Sequence, residues 1–272
     1  MEIGVFGIAT DETLRPDEMA RLVEDAGFDA MAFGEHTHIP VDSDSQYPLG
    51  EMPREYKRTF DLFVAMHSAL MATTRLRVES SIIQIAQRDP ITTAKQAASV
   101  DFLSGGRLEL IVGHGWNLAE IRNHGVDPAQ RYDVVRERML AMREIWRNDA
   151  AEFHGKHVNF DAIHSWPKPA RPSGVPLVLA GNARGAERRA LEYGDGWALI
   201  SGPGVAARVA SFTTANPGVR VHVAGVATEP AAIEEYARAG AARVALGLGA
   251  AKRGEAEAIL EEIRRAVDVA LG

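Results

Sequence analysis

The segment Gly34-Glu35-His36-Thr37-His38 concentrates the residues best suited to proton chemistry. It places three titratable groups within four positions, directly after an apolar stretch. Imidazole is the side chain whose ordinary pKa lies near neutrality, so His36 is predicted to exchange a proton with a bound molecule, as a catalytic base or acid. The alternative is that His36 is a hydrogen-bonded wall residue. His38 is assigned to the substrate pocket, although the His36-x-His38 spacing would also suit two metal ligands.

A second segment, Gly113-His114-Gly115-Trp116-Asn117, combines glycines with side chains able to contact ligands. Backbone at Gly113 and Gly115 can approach a bound molecule closely, and His114 adds an imidazole between them. Trp116 and Asn117 are predicted to line the substrate pocket, with the indole walling an apolar or aromatic group. A purely packing role is the alternative for Trp116. The third glycine of a dinucleotide fingerprint is missing.

Two further polar segments follow apolar runs. Ser80 and Ser81 are consecutive, so at most one can face the interior of a regular strand, because successive side chains alternate. Gly181-Asn182-Ala183 leads into a helical pattern, whose free N–H groups and positive dipole end can hold a phosphate. Alternatively, Asn182 serves only as the helix N-cap.

Strand and helix patterns alternate along the chain and must position these segments. Short apolar runs, expected when both faces of a strand are buried, predict strands near residues 2–8, 30–34, 76–85, 107–112, 177–180, 196–200, 220–226 and 243–247. Helical periodicity falls at 16–26, 60–72, 90–104, 130–148, 183–193, 204–212, 230–239 and 254–271. This order predicts an α/β fold, a (β/α)8 TIM barrel, with a doubly wound sheet as the rival. The polar segments would then meet at the carboxyl ends of the barrel strands.

Two insertions interrupt the alternation. Residues 35–59 form a long polar loop after strand two, and residues 151–176, which contain four prolines, precede strand five. Neither has the character of a separate domain, so residues 1–272 are predicted to form one domain. Residues 37–59 of the first insertion, which include Tyr47 and Tyr56, are expected to form a mobile cover whose shape decides specificity.

The composition of the chain argues against some classes of binding partner. The 272 residues carry a net charge of −7, and no basic run interleaved with aromatics could follow a phosphate backbone, so nucleic acid is not expected. The chain contains no cysteine and no apolar stretch near the roughly 20 residues that a membrane span requires, and its start lacks the features of a secretion signal. A cytoplasmic protein acting on a small molecule, without a membrane partner, is expected.

Several spaced motifs together resemble the luciferase-like monooxygenase superfamily. They are Asp101–Trp116, Ala94-Lys95-Gln96-Ala97, Glu120, Arg131, the run Pro176–Asn182, and Gly194-Asp195-Gly196-Trp197. Within the superfamily the chain looks most like the short oxidoreductases that use the deazaflavin coenzyme F420. Related sugar-phosphate dehydrogenases have a catalytic glutamate where this chain has Trp116, which argues against the same substrate.

The resemblance implies roles for individual residues. Glu35 and His36 match an acidic residue and histidine at the catalytic position. Ser80, Ser81 and Ile82 would support the central ring of the coenzyme, with a non-proline cis peptide expected at Ser81–Ile82. The family places the phosphodiester at Gly181, Asn182 and Ala183. Gly113, His114 and Gly115 would also contact the coenzyme, and a homodimer is expected. Glu120 and Arg131 are expected to pair and to brace the loop after strand four.

The predicted function is hydride transfer between coenzyme F420 and a small organic substrate. An FMN-dependent monooxygenase of the same superfamily is the alternative. A metal-dependent TIM-barrel hydrolase is a third possibility because of His36-x-His38, but no second cluster of His or Asp follows the later strands, so no metal ligand is assigned. A barrel that only carries a flavin is a fourth.

Overall fold

A computed structural model describes residues 1–43, 45–47 and 50–272 of the protein. Asp44, Pro48 and Leu49, which belong to the predicted loop 35–59, lie outside the described residues. No helix among the described residues is long and apolar enough to cross a bilayer.

Eight parallel strands close into a barrel, which confirms the predicted (β/α)8 TIM-barrel fold and excludes the doubly wound sheet. In order around the barrel the strands are β1 (Glu2–Gly7), β2 (Ala30–Phe33), β3 (Arg77–Ile83), β4 (Leu108–Val112), β7 (Leu177–Ala180), β8 (Gly196–Ile200), β9 (Arg220–Val226) and β10 (Arg243–Gly249). All eight coincide with predicted strands to within two residues at each end.

Helices follow the strands and cover the barrel. They are α1 (Pro16–Asp25), α2 (Leu62–Ala72), α3 (Pro90–Leu103), α4 (Leu118–Asn123), α5 (Arg131–Arg147), α6 (Ala186–Tyr193), α7 (Val205–Ala215), α8 (Pro230–Arg238) and α9 (Arg253–Leu271). Residues with capping side chains or proline mark where helices begin. In α3, for example, the Asp89 carboxylate accepts a hydrogen bond from the Thr92 N–H at 2.8 Å, and Pro90 occupies the first turn.

Three features of the fold were not predicted. The second insertion contains an antiparallel hairpin of β5 (Ala150–His154) and β6 (Asn159–His164). The short helix α4 follows the glycine loop of β4. Helix α6 begins at Ala186, three residues later than predicted, because Gly185 adopts a left-handed conformation with φ of 81° directly before it.

Charged side chains fill the barrel interior near the amino ends of the strands. We call Glu79, Glu109, His222 and Arg243 the interior cluster; all four are at most 3% exposed. Arg243 pairs with Glu79 and lies 3.0 Å from Glu109, and it also contacts Glu2 at the barrel floor. Ligands of (β/α)8 barrels bind at the opposite, carboxyl-terminal end of the strands.

Candidate active site

His36 lies directly after β2, at the carboxyl end of the barrel. Its Nδ1 lies 2.8 Å from Glu120 Oε2, and Glu120 is fully buried on α4. The other carboxylate oxygen accepts a hydrogen bond from the Thr37 N–H at 3.2 Å. The predicted pairing of Glu120 with Arg131 is wrong, because Arg131 instead donates to the Pro128 carbonyl. With Nδ1 engaged by Glu120, Nε2 is the nitrogen of His36 left for a bound molecule.

Glu35 faces away from this pair. One of its oxygens accepts from the Gln84 N–H at 2.6 Å, and the other accepts from Arg88 Nε at 2.6 Å. Burial by itself would lower the pKa of Arg88, but the Glu35 carboxylate outweighs this and raises it. Both carboxylate oxygens of Glu35 are thus committed to an ion pair that ties the end of β2 to the segment after β3.

Two aromatic rings contact His36, and a third packs against both of them. Tyr56 stacks on the imidazole with ring centroids 5.3 Å apart, and Trp116 meets it edge-on at 5.6 Å. Tyr47 packs against Trp116 at 5.3 Å, and its hydroxyl lies 2.8 Å from that of Tyr56. Burial and this hydrogen bond raise the pKa of Tyr56 above its ordinary value. Tyr56 of the insertion after β2 and Trp116 of the loop after β4 therefore enclose the imidazole of His36.

A cavity of about 560 Å³ opens beside these rings. Trp116 and Asn117, which the sequence analysis assigns to the substrate pocket, both line this cavity, together with Tyr47 and apolar residues such as Ile39 and Met52. His38 does not line this cavity. Its ring instead hydrogen-bonds to Thr37 Oγ1 at 3.0 Å and to the Asn123 side chain at 2.9 Å.

The end of β3 shows the predicted cis peptide bond between Ser81 and Ile82. Ser80 is fully buried, and its hydroxyl donates to the Ile111 carbonyl and accepts from the Ile111 N–H at 3.0 and 2.8 Å. Ser80 therefore links β3 to β4, whereas Ser81 and Ile82 are half-buried. A Cβ atom at Gly113 would come within 2.8 Å of the Ile82 side chain, so any larger residue there would require Ile82 to shift.

Two arginines lie around His114 after β4. Its ring packs on Tyr132 at 4.4 Å, and the guanidinium groups of Arg131 and Arg189 contact the same tyrosine ring at 4.7 and 4.9 Å. Burial, Arg189 and Arg131 lower the pKa of His114 to about 4, so its ring is neutral at pH 7. We call His114, Arg131 and Arg189 the rim cluster.

The rim cluster has unused hydrogen-bonding capacity. Among the described residues, neither Arg131 nor Arg189 forms an ion pair with a carboxylate. A buried nitrogen of each of the three side chains also lacks a hydrogen-bond partner: His114 Nε2, Arg131 Nε and Arg189 Nε. Two cations without counter-ions beside a barrel mouth fit an anionic group. Sequence reasoning missed Arg189, because nothing near it in the sequence marks it as a ligand.

The segment after β7 differs in detail from its prediction. The Asn182 side chain bridges the backbone of Ile200, accepting from its N–H at 2.8 Å and donating to its carbonyl at 2.7 Å. Asn182 is therefore not the N-cap of α6, a position held by Gly185. The Gly181 N–H donates to Ala198, and the Ala183 carbonyl accepts from Ala186.

Potential metal ligands converge elsewhere. Within the described part of the chain, the group of three that could hold one ion is Glu79, Glu109 and His222 of the interior cluster. The Arg243 guanidinium already supplies positive charge to both carboxylates. His36 and His38 turn to different partners, Glu120 and Asn123, so their sequence spacing does not form a shared site.

Comparison with known proteins identifies the family. The profile of luciferase-like monooxygenases matches residues 15–267, and the chain therefore belongs to this family. An uncharacterized protein of Mycobacterium tuberculosis is 36% identical over 204 residues, which span 72% of this chain and 71% of that protein.

The similar proteins include some named for FMN and some named for coenzyme F420. An FMNH2-dependent dimethylsulfone monooxygenase of Pseudomonas putida is 31% identical over 142 residues, or 51% of this chain and 39% of that protein. An F420-dependent secondary alcohol dehydrogenase, solved with an F420-acetone adduct, superposes with a TM-score of 0.77 over 100% of this chain and 99% of that chain. Their sequence identity is 17%, so this likeness shows the fold alone. The chain thus belongs to the luciferase-like oxidoreductases, and the proteins similar to it include one named as FMNH2-dependent and one named as F420-dependent.

Proposed function

We propose that the protein transfers a hydride between coenzyme F420 and a small organic substrate, with His36 exchanging the accompanying proton. The observation that carries this proposal is the pair formed by His36 and the buried Glu120, 2.8 Å apart at the barrel mouth. A carboxylate that accepts from Nδ1–H fixes the tautomer and leaves Nε2 free to accept a proton. The same carboxylate stabilises the imidazolium that results.

The chain's own residues perform the proton step. When an alcohol is oxidised, His36 Nε2 takes the hydroxyl proton as the hydride leaves the adjacent carbon; in the reverse direction it returns that proton to the carbonyl oxygen. The bound deazaflavin supplies or accepts the hydride. The aromatic rings around His36 keep water away from the reacting atoms. Glu35, predicted as catalytic, is now proposed as a positioning residue because Gln84 and Arg88 use both its oxygens.

Three parts of the barrel mouth fit the coenzyme. The half-buried Ser81–Ile82 segment and Gly113 offer backbone to a flat ring. The rim cluster offers two uncompensated cations to its phosphate. We therefore propose Arg131 and Arg189 as phosphate contacts, beside His114, with Gly115, Gly181 and Ala183 as backbone walls. The Asn182 side chain is occupied by Ile200 and is left out of this contact set.

Titration with the two cofactors tests the proposal. We expect the full chain to bind F420 more tightly than FMN, as measured by fluorescence and calorimetry in the same buffer. Tight binding of FMN with no response to F420 would reject the deazaflavin assignment.

An FMN-dependent monooxygenase is the second candidate, favoured by the likeness to the dimethylsulfone monooxygenase. In that case reduced FMN bound to the protein should consume oxygen in step with product formation. With F420, oxygen uptake should stay at the level measured without protein, because the deazaflavin transfers hydride and does not readily activate oxygen.

We also propose that two copies of the chain associate. Exposed apolar side chains lie on α2 and α3, which pack together: Val64, Phe102 and Leu103 are each more than half exposed. Val64 lies near the start of α2, whereas Phe102 and Leu103 end α3, so they form two separate exposed apolar sites. Burying either site against a second copy would remove apolar surface from water. Sedimentation analysis at micromolar concentration should give twice the mass of the 29.5 kDa chain.

A further inference from the structure

The cavity beside Trp116 has a size and lining that restrict its ligand. Its volume of about 560 Å³ suits a small organic molecule. Its lining combines apolar side chains, such as Ile39, Val41 and Met52, with hydroxyl and amide groups. No charged side chain is found in this lining among the described residues. An ionised ligand would therefore gain no opposite charge from the described lining, which favours an uncharged one.

Asn117 provides a hydrogen-bond donor without a partner in the wall of this cavity. Its Oδ1 accepts from the Glu120 N–H at 3.2 Å and from Ser43 Oγ at 3.1 Å. Because a backbone N–H can only donate, this contact identifies the oxygen, so the remaining atom is the NH2 group. That nitrogen is buried and has no hydrogen-bond partner, in a residue that is only 2% exposed. A buried donor of this kind favours an acceptor.

The tyrosine pair provides a second donor. The hydroxyls of Tyr47 and Tyr56 lie 2.8 Å apart and share one hydrogen bond. Two hydroxyls carry two protons, and one bond uses one of them. No other hydrogen bond of either hydroxyl is found within the described residues, so the second proton is available to an outside acceptor. Tyr47 itself lines the cavity.

We propose that this cavity binds an uncharged small organic molecule with an apolar body and an acceptor oxygen, such as a carbonyl or nitro group. Asn117 Nδ2 and the tyrosine pair would donate to that oxygen, and Trp116 would pack on the apolar body. As the substrate class of the oxidoreductase, this inference rests on the proposed function. The binding preference itself depends only on the cavity.

Three small molecules of similar shape can distinguish the classes of ligand: neutral with an acceptor oxygen, charged, and without an acceptor. Nitrobenzene has neutral acceptor oxygens, benzoate carries a charge on a similar frame, and α-methylstyrene has no acceptor. Their affinities would be measured by calorimetry on the full chain, once alone and once with the saturating oxidised cofactor. We expect nitrobenzene to bind at least about fivefold more tightly than either of the other two, since one hydrogen bond contributes about 1 kcal/mol.

Two variants test the assigned donors. Asn117→Asp keeps the oxygen that caps α4 but removes the NH2 donor, and Tyr47→Phe removes one hydroxyl. Each should weaken nitrobenzene binding about fivefold to tenfold and leave α-methylstyrene unchanged. Tyr193→Phe is the matched control, because the Tyr193 hydroxyl is buried, has no hydrogen-bond partner and lies in α6.

Specific outcomes overturn the inference. They are benzoate binding as tightly as nitrobenzene, no binding of any probe, or unchanged nitrobenzene affinity in both variants. Failure of the proposed function would look different. If F420 does not bind but the probes keep the expected order, the hydride-transfer proposal fails and the cavity assignment stands. If F420 binds and the probe order is lost, only the cavity assignment fails.

Discussion

The two ends of the barrel hold similar polar residues that are used differently. At the amino end, the interior cluster combines two glutamates, a histidine and an arginine, and its carboxylates are compensated by Arg243. At the carboxyl end, Glu120 holds one nitrogen of His36, while Asn117 and the rim cluster keep donors without partners. The carboxylates of the interior cluster are compensated within the cluster, although both ring nitrogens of His222 lack a hydrogen-bond partner. At the carboxyl end, two arginines have no carboxylate partner among the described residues.

This difference shows why residue type alone does not identify the site. Glu79, Glu109 and His222 converge closely enough for a metal ion, but they lie within the barrel beside an arginine. His222 lies 3.6 and 3.7 Å from the two carboxylates, deep among buried strands. At the carboxyl end, by contrast, Asn117 has an unpaired side-chain nitrogen and lines a cavity that a ligand can fill.

The largest expected effect concerns the interior cluster. Arg243→Leu would leave Glu79 and Glu109 buried without their cation, and we expect a loss of about 3–5 kcal/mol in the free energy of unfolding. Urea unfolding at pH 7 measures it. Arg265→Leu, at an exposed ion pair 4.0 Å long, is the control and should change stability by less than about 1 kcal/mol. A small loss of unfolding free energy in Arg243→Leu would contradict the comparison between the two ends of the barrel, because the stability of the interior would then not depend on Arg243.

The interior cluster should also affect how the stability of the protein depends on pH in the acidic range. Burial would raise the pKa of Glu79, but Arg243 and His222 outweigh this and lower it below the ordinary value of 4.5. A carboxylate whose pKa is lowered in the folded state stabilises the protein above that ordinary value and loses this contribution as the pH falls below it. The free energy of unfolding should therefore fall more steeply below pH 4.5 in the wild type than in Arg243→Leu.

At the mouth, His36→Ala should lower turnover by about a hundredfold or more, the usual scale for losing a general acid or base. His36→Asn keeps a side-chain donor for Glu120 and should be equally slow, which separates chemistry from folding. His154→Ala, in the exposed hairpin, is the control. Wild-type turnover in both His36 variants would remove this residue from the mechanism.

Glu120→Gln tests whether the carboxylate acts through His36. The amide keeps the bond to the Thr37 N–H but can offer an N–H to Nδ1, which favours the tautomer with Nε2 protonated. We expect kcat to fall about tenfold to a hundredfold with little change in KM, and the pH profile of kcat to shift. Glu262→Gln, exposed on α9, should change neither. An unaltered pH profile would mean that Glu120 only packs.

Sequence reasoning was accurate where the signal is local. Apolar runs located all eight barrel strands, and His36 was found because it directly follows one of them. Its partner Glu120 is 84 positions away, so no local pattern links them. The commitment of Glu35 to Arg88 was hidden for the same reason, at a separation of 53 residues. The later start of α6 depends on Gly185 taking a left-handed conformation, which the sequence allows but does not require.

The rim cluster gives the smallest and most specific prediction. Arg189 has no carboxylate partner among the described residues, unlike Arg243, so its removal should cost little stability. Arg189→Gln should instead weaken binding of the phosphorylated cofactor about tenfold, because a charge-assisted hydrogen bond contributes about 1.5 kcal/mol or more. Binding of the same ring system without its phosphate should be unchanged.

Arg188→Gln is the matched control, since this exposed arginine is the preceding residue of the same helix. Titrating both variants with the phosphorylated and unphosphorylated forms, at two salt concentrations, separates a direct contact from a general effect of net charge. A direct contact weakens only the phosphorylated form and only in Arg189→Gln, and it also reduces the salt dependence of binding. Equal losses of cofactor affinity in the two variants would mean that the rim cluster attracts anions only through its net charge. The comparison between the two ends of the barrel would then hold for His36 and Asn117 but not for the two arginines.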